Sequence, residues 1–302
     1  MRKGFYTALG TPLNEKGEFL PCSFVRQVEE QLHCGASGLL VMGSMGIGAM
    51  VKNSEYRKVA KAAADAVRGS CPVFVGVADA SAARVKERID CLSGMKIDGV
   101  VSTIPYYETL SQDAAFTFFR TIADGSPFPV YLYDLPSVTK TPLSYDTVVA
   151  LSRHDNIRGI KTGNLVTARK LLAEYGESER FETFFSNLDL FDVASRYGIV
   201  KNLDGMFSCT APIARKLYDQ MDAGNWEKAA YYLDQIISLR DVFVRTGIFP
   251  GFTCAMNLLG YEGSFSPDYA GAAGEEQKRM VEKGMRKIGM LQTPRPLATA
   301  AD

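Results

Sequence analysis

The sequence has few of the residues from which metal sites and disulfide frameworks are built. It contains only two histidines, His33 and His154, and its six cysteines include no Cys-x-x-Cys pair. A zinc site or a set of disulfides needs ligand spacings that are absent here. We therefore expect no metal site, and we expect the cysteines to be reduced.

The chain also lacks an excess of charge and a long apolar run. Its 34 Lys and Arg residues balance 34 Asp and Glu residues, so no net field attracts nucleic acid or a membrane surface. No uninterrupted apolar run reaches spanning length, and residues 1–5 lead into a strand pattern without the features of a signal peptide. We expect a cytoplasmic protein whose partners are small molecules, with neither nucleic acid nor membrane among them.

Short apolar runs alternate with helical patterns along most of the chain. Continuous apolar runs bounded by Gly, Pro and Ser turns are typical of parallel strands that are buried on both faces. Eight strand-then-helix units predict a (β/α)8 TIM barrel, which belongs to the α/β class, rather than an open doubly wound sheet. The strands are predicted at residues 5–9, 38–42, 73–77, 99–103, 129–133, 157–161, 181–185 and 205–208. Ser54, Ser111 and Ser144 are predicted to cap helices.

The alternation stops after Gly224. Three further helical patterns follow at residues 226–244, 251–259 and 275–290, and a segment that contains Pro and Ala ends the chain. The sequence therefore predicts a barrel over residues 1–224, a C-terminal helical extension over 225–291 and a flexible tail over 292–302.

Two side chains at predicted strand ends suggest chemistry, because TIM-barrel active sites lie at the C-terminal ends of the strands. Lys161 ends the sixth strand and Tyr133 ends the fifth. Desolvation favours the neutral form of a lysine, and a neutral amine attacks a ketone to give a Schiff base. The phenol beside it suits a proton carrier. A lysine turned into solvent and a tyrosine used only for packing are the alternative interpretation.

The turn Gly43-Ser44-Met45-Gly46 follows the second predicted strand. Its glycines allow backbone N–H groups to face inward, where they and the Ser44 hydroxyl can bind a carboxylate. A 2-oxo acid would then be held by its carboxylate while its ketone meets Lys161. Cys209, beside the predicted eighth strand, is a further candidate pocket residue.

These segments, taken in order, resemble the dihydrodipicolinate synthase/N-acetylneuraminate lyase family of Schiff-base aldolases. The resemblance runs from Gly4 to about Gly289, and the following segments carry it: Gly10-Thr11-Pro12, Gly43-Ser44-Met45-Gly46, Pro105-Tyr106-Tyr107, Tyr133-Asp134-Leu135-Pro136 and Gly159-Ile160-Lys161.

The resemblance implies a role for each matching residue. Lys161 forms the imine with pyruvate or a similar 2-oxo acid, and Tyr133 transfers protons. Ser44 and Tyr107 complete a hydroxyl relay, with Tyr107 supplied across a subunit interface of a homo-oligomer, either a dimer or a tetramer. No metal or organic cofactor is implied. The residues assigned to substrate binding are Gly43, Ser44, Met45, Thr139, Gly205 and Phe207.

Three departures from the family pattern bear on the substrate. Met45 and Ile47 stand where the family turn has a second polar residue and an acidic one, and Thr162 stands where an acidic residue usually follows the lysine. The synthase branch carries an arginine after strand five, where this chain reads Ser137-Val138-Thr139. A site without that arginine is expected to bind the second carboxylate of the synthase substrate poorly.

The sequence therefore favours a lyase or aldolase that interconverts a 2-oxo acid with pyruvate and an aldehyde. The alternatives are the synthase condensation of pyruvate with aspartate semialdehyde, with an arginine such as Arg158 or Arg240 supplied from elsewhere, and a Schiff-base dehydratase of an oxo sugar acid. A non-catalytic protein that binds an oxo acid is the fourth interpretation.

Overall fold

The computed structural model describes residues 1–176 and 180–291, and these form the predicted (β/α)8 barrel. Eight parallel strands close on themselves in chain order, with β8 paired to β1. The strands are β1 (Gly4–Ala8), β2 (Gly38–Val41), β3 (Val73–Gly76), β4 (Gly99–Ser102), β5 (Val130–Asp134), β6 (Ile157–Thr162), β7 (Glu182–Phe185) and β8 (Lys201–Asp204).

Helices surround the barrel and continue past it. They are α1 (Pro21–His33), α2 (Asn53–Val67), α3 (Ala82–Asp90), α4 (Gln112–Gly125), α5 (Pro136–Thr139), α6 (Tyr145–Ser152), α7 (Leu165–Tyr175), α8 (Phe191–Arg196), α9 (Phe207–Asp222), α10 (Trp226–Thr246), α11 (Ile248–Leu258) and α12 (Glu275–Lys287).

The three C-terminal helical patterns correspond to α10, α11 and α12, and α10 packs against α9, α11 and α12. The predicted tail over residues 292–302 lies outside the described residues, and the division into barrel and extension stays a prediction. Within residues 1–176 and 180–291, no helix has both the length and the apolar character needed to cross a membrane.

The prediction for the eighth strand was wrong by four residues. The strand is Lys201–Asp204, which pairs with β1 from Gly4 to Thr7, and residues 207 and 208 already belong to α9. Three of the four strand residues are polar, so the segment lacks the apolar run on which the prediction relied. Asn202 is nevertheless fully buried, because its Oδ1 accepts hydrogen bonds from Ser195 and Tyr218.

Two of the three predicted helix caps are confirmed. The side chains of Ser111 and Ser144 accept hydrogen bonds from the backbone of α4 and α6. Ser54 is not a cap, because α2 begins one residue earlier, after Lys52. Its hydroxyl instead donates to Glu55.

An aromatic layer fills the interior of the barrel. Tyr6, Phe74, Tyr131 and Phe184 come from the four odd-numbered strands, which is the layered arrangement expected of this fold. Ring centroids are separated by 4.9 Å for Tyr6–Phe184 and for Phe74–Tyr131, and by 5.5 Å for Phe74–Phe184. Gly159 leaves room for one ring, because a Cβ there would lie 2.8 Å from the Tyr131 side chain. This layer closes the barrel below the residues at its C-terminal mouth.

Candidate active site

Lys161 and Tyr133 meet at the C-terminal mouth of the barrel. The two residues are register partners on β6 and β5, and the Lys161 Nζ donates a hydrogen bond of 2.8 Å to the Tyr133 hydroxyl. The same Nζ lies 4.0 Å from the centroid of the Tyr133 ring. Lys161 is 6% exposed and Tyr133 is 8% exposed. The structure therefore places an amine and a phenol in contact, and both are shielded from bulk water.

The apolar interior explains why Lys161 is buried. Tyr133 belongs to the interior cluster that includes Leu40, Val101 and Leu203, each of which faces inward from an even-numbered strand. Lys161 is the inward-facing residue of β6 at this level. Its amine therefore takes the place of an apolar side chain above the aromatic layer, and it is buried there with the Tyr133 hydroxyl as its hydrogen-bond partner.

Ser44 extends this contact to the turn after β2. Its hydroxyl lies 3.4 Å from the Tyr133 hydroxyl, to which it donates, and its side chain is exposed at the mouth. The phenol oxygen thus lies between the Lys161 amine and the Ser44 hydroxyl. The three polar groups form a short chain along which a proton can move.

The turn over residues 43–46 presents free backbone donors. Among the hydrogen bonds of the described residues, none uses the amides of Ser44, Met45 or Gly46, whereas Ile47 and Gly48 donate back into the turn. Close packing fixes the turn, because a Cβ on Gly46 would lie 2.7 Å from the Leu9 carbonyl oxygen. Successive free amides are a favourable site for a carboxylate.

Met45 packs between the interior cluster and Gly205. Its side chain packs on the interior cluster, and a Cβ on Gly205 would lie 2.7 to 2.8 Å from three of its atoms. The structure thus brings Met45 and Gly205 together. It also shows why Gly205 suits this position, since any larger residue would collide with the thioether.

Asp134 joins the ends of β5 and β6 beside the lysine. Its carboxylate accepts hydrogen bonds from the Thr162 hydroxyl at 2.9 Å and from the Leu143 amide at 3.0 Å. Burial raises the pKa of Asp134, although these two hydrogen bonds oppose the shift. Thr162 follows Lys161 directly, so this link holds the strand end that carries the amine.

An ion pair connects the extension to the same end of the barrel. Arg240 on α10 contacts Asp189 through two nitrogens, at 2.7 and 2.8 Å, and Asp241 at 2.7 Å. The Arg240 side chain is therefore engaged by two carboxylates. Asp204, at the end of β8, lies near this pair, and burial raises its pKa while the charge of Lys161 opposes that shift.

Two residues proposed for the site make no hydrogen bond to Lys161 or Tyr133 among the described residues. Tyr107 is 83% exposed and, among the described residues, makes no hydrogen bond to Ser44 or Tyr133. Thr139 is buried in α5, where its hydroxyl donates to the Leu135 and Thr141 carbonyls. A residue engaged in this way presents no free donor to a ligand.

Phe207 and Cys209 belong to the outer core rather than to the mouth. The Phe207 ring packs against Phe5 and Phe191 and is fully buried. Cys209 is 1% exposed, and burial raises its pKa, so the thiol is neither accessible nor ionised. Residues 207 and 209 both lie in α9, on the outside of the barrel.

Arg158, considered as a possible substitute for the missing arginine, lies at the other end of the barrel. It is the second residue of β6 and lines a cavity with Met1, Pro129 and Glu182. A strand rises about 3.3 Å per residue, so three residues separate it by roughly 10 Å from Lys161.

Thr103 also lies at the end of a strand, although no sequence motif singled it out. This residue directly follows β4, is 5% exposed, and its hydroxyl has no hydrogen-bond partner in the described chain. The alternation of side chains along β4 could have indicated it, because Val101 faces the barrel interior and the residue two positions later shares that face.

A cavity of about 1110 Å³ lies beside the mouth rather than at Lys161. It is bounded by residues 13–17 after β1, by Ile47, Met50 and Lys52 after β2, and by parts of the extension between Pro250 and Glu282. Among the described residues, no three His, Cys, Asp or Glu side chains come together as ligands for a metal.

Comparison with known proteins gives matches along the chain. The model of the dihydrodipicolinate synthetase family matches residues 1–283. The 4-hydroxy-tetrahydrodipicolinate synthase of Acidiphilium cryptum is 26% identical over 298 residues, which cover 96% of this chain and 100% of that protein. The protein of the same name from Exiguobacterium sibiricum is 32% identical over 161 residues, 53% of this chain and 55% of that one.

Solved structures share the fold. A prophage protein of the dihydrodipicolinic acid synthase family from E. coli, in complex with pyruvate, superposes with a TM-score of 0.87 at 20% identity, covering 96% of this chain and 100% of that one. CdNal from Clostridium difficile, in complex with mannosamine, gives 0.86 at 17% identity, with 95% and 99% covered. Together with the family match over residues 1–283, the barrel and its lysine lead to one conclusion. The chain belongs to the dihydrodipicolinate synthetase family of lyases and aldolases that form a Schiff base on a lysine.

Proposed function

We propose that the protein is a lyase that cleaves a 2-oxo acid reversibly to pyruvate and an aldehyde, with Lys161 as the Schiff-base lysine. The contact of 2.8 Å between the buried Lys161 amine and the Tyr133 phenol carries the proposal. This contact places a nucleophile beside a proton carrier at a buried position, and imine chemistry requires these features.

Tyr133 carries the protons of this reaction. The Lys161 amine attacks the ketone carbon, and the Tyr133 phenol gives its proton to the departing hydroxyl, so that water leaves and an iminium and a Tyr133 phenolate remain. The phenolate then takes the proton of the C4 hydroxyl, the C3–C4 bond breaks, its electron pair moves to the iminium to give an enamine, and the aldehyde leaves. Tyr133 returns this proton to C3 of the enamine, and addition of water to the resulting iminium releases pyruvate, restores the amine and gives the phenol its proton back.

The turn after β2 supplies carboxylate binding in this scheme. The free amides of Ser44, Met45 and Gly46 and the Ser44 hydroxyl form a cluster of donors next to the Tyr133 phenol. A carboxylate held there leaves its neighbouring ketone facing Lys161. Met45 at the place of the family's second polar residue removes one polar side chain but leaves the amides in place.

The segment after β5 favours cleavage of a neutral or hydroxylated chain over the synthase reaction. The segment Ser137-Val138-Thr139 contains no arginine where the synthase branch has one. Arg240 is engaged by Asp189 and Asp241, and Arg158 lies at the far end of the barrel. A second substrate carboxylate would therefore lack a bidentate guanidinium partner.

The synthase reaction is the second candidate. Two relatives with 26% and 32% identity carry the name 4-hydroxy-tetrahydrodipicolinate synthase, and an enamine on Lys161 would attack aspartate semialdehyde by the same chemistry as any other aldehyde. The two candidates thus differ in the aldehyde and share the lysine.

A panel of aldehydes offered with pyruvate separates the candidates. We expect pyruvate consumption with a hydroxylated, sugar-derived aldehyde and none with aspartate semialdehyde; the reverse result would assign the synthase reaction. Lys161→Ala should abolish turnover, and Lys170→Ala, which changes an exposed lysine on α7, is the matched control. Turnover that survives Lys161→Ala would rule out both candidates.

We further propose that Tyr107 enters the site of a neighbouring copy in a homo-oligomer. Its 83% exposure leaves the phenol free to do so. Mixing subunits of Tyr107→Phe with subunits of Lys161→Ala tests this, because a shared site in a mixed dimer would contain either both defects or neither. Activity above that of each variant alone supports the proposal. Activity that does not rise on mixing, with subunit exchange shown by mass spectrometry, contradicts it.

A further inference from the structure

Thr103 carries a buried hydroxyl that no part of the described chain uses. Three buried side-chain atoms of the described residues lack a hydrogen-bond partner: Arg88 Nε, Arg215 Nε and Thr103 Oγ1. Both arginines bind carboxylates through another nitrogen, whereas a threonine has a single polar side-chain atom. Because buried polar groups are nearly always paired, this hydroxyl calls for a partner that the free chain does not provide.

The hydroxyl faces the inside of the barrel. Val100 and Ile104 belong to the outer core between strands and helices, while Val101 belongs to the interior cluster. Side chains alternate between the two faces of a strand, so the residue between Ser102 and Ile104 shares the inner face with Val101. Thr103 is 5% exposed there.

The hydroxyl also stands at the level of the Schiff-base site. Val101 pairs with Tyr131 and Ser102 with Leu132, so the next position of β4 comes beside Tyr133, which pairs in turn with Lys161. Neighbouring strands are about 4.8 Å apart. Thr103, Tyr133 and Lys161 therefore lie side by side at the C-terminal ends of three consecutive strands.

We propose that Thr103 positions the substrate by a hydrogen bond from its hydroxyl to an oxygen of the 2-oxo acid bound to Lys161. The inference rests on the proposed function. The acceptor is either the carboxylate or the oxygen at C4, since a hydroxyl donates to both. Because the Thr103 hydroxyl has no partner among residues 1–176 and 180–291, the new bond forms without breaking one to these residues.

Two substitutions test the role of the hydroxyl. Thr103→Val removes it and keeps the shape of the side chain, whereas Thr103→Ser keeps it. One measurement is the pyruvate concentration that gives half-maximal borohydride trapping on Lys161; the other is the KM for an aldehyde in the condensation direction. We expect Thr103→Val to raise at least one of the two by about tenfold, and Thr103→Ser to remain within about threefold of the wild type. A shift in the pyruvate value assigns the bond to the carboxylate, and a shift in the aldehyde KM assigns it to the C4 oxygen.

Thermal unfolding separates binding from a structural role. Removing an unpaired buried hydroxyl should leave the Tm of the free protein unchanged or higher, whereas a structural role predicts a lower Tm. Thr103→Ala removes the same hydroxyl and replaces the valine variant if that one does not fold. If a folded Thr103→Val or Thr103→Ala variant keeps both the half-maximal pyruvate concentration and the aldehyde KM of the wild type, this inference alone is overturned. Absence of trapping in the wild type would overturn the proposed function together with it.

Discussion

Tyr133→Phe should reduce catalysis more than it reduces stability, because it removes only the oxygen atom of the phenol. The ring stays in the interior cluster, where Tyr133 is 8% exposed, and only the hydroxyl is lost. That hydroxyl accepts the hydrogen bonds of Lys161 at 2.8 Å and of Ser44 at 3.4 Å.

The two expected effects differ in size. A hydrogen bond contributes a net of about 1 kcal/mol to stability, so losing the two hydrogen bonds of this hydroxyl should lower the free energy of unfolding in urea by about 1 to 2 kcal/mol. Loss of a positioned general acid and base lowers turnover by about 10²- to 10⁴-fold, which corresponds to roughly 3 to 5 kcal/mol in the activation free energy. The change in the activation free energy should therefore exceed the change in the free energy of unfolding.

The assay compares kcat, urea unfolding and borohydride trapping with pyruvate for Tyr133→Phe and for Tyr131→Phe. Tyr131 is the matched control, since it belongs to the same interior cluster but lies one layer below, next to Gly159. A kcat for Tyr133→Phe within about threefold of the control would refute the assignment of Tyr133 as proton carrier.

Two further substitutions test the structure that supports the site. Gly159→Ala should destabilise the protein by about 1 to 3 kcal/mol or more, because its Cβ would lie 2.4 Å from the Glu182 carbonyl oxygen of the next strand. The free energy of unfolding in urea measures this loss, with Gly274→Ala as the control, since the nearest atom to a Cβ there lies at 3.6 Å. An equal loss of stability in the two variants would contradict the prediction. Asp79→Asn should lower the free energy of unfolding by about 3 kcal/mol at pH 7, because it leaves the buried guanidinium of Arg88 without its carboxylate. Unfolding measured at several pH values should show that this difference from the wild type becomes smaller in acid.

The sign of that pH dependence follows from the environment of Asp79. Burial alone would raise its pKa, but hydrogen bonds from Arg84 and the Ala80 amide, with the charge of Arg88, outweigh it and hold the pKa below its usual range. The carboxylate therefore contributes stability above the unfolded-state pKa of about 3.9. The contribution disappears as the pH falls through the lower folded-state value. A cost that is independent of pH would contradict this account.

Seven of the eight strands could be placed from the sequence because parallel strands buried on both faces read as continuous apolar runs. The eighth could not, because Lys201, Asn202 and Asp204 are polar. Their burial depends on partners that are distant in the chain, such as Glu182 for Lys201 and Tyr218 for Asn202. The hydrophobicity pattern of a short stretch of sequence does not reveal such partners.

The same limit applies to the site. The contact of Lys161 with Tyr133 followed from adjacent strand ends, which local patterns reveal. The engagement of Arg240 by Asp189 joins positions that are 51 residues apart, and the orphaned hydroxyl of Thr103 can be recognised only when every possible partner has been placed. The nucleophile could thus be predicted from local patterns, whereas the side chains that surround it could not.

The most direct measurement is borohydride reduction in the presence of pyruvate, followed by mass spectrometry of the proteolytic peptides. We expect one reduced pyruvate adduct per chain, located on Lys161 and absent from Lys161→Ala. No adduct in the wild type, or an adduct on another lysine, would contradict the claim that this buried amine forms the Schiff base.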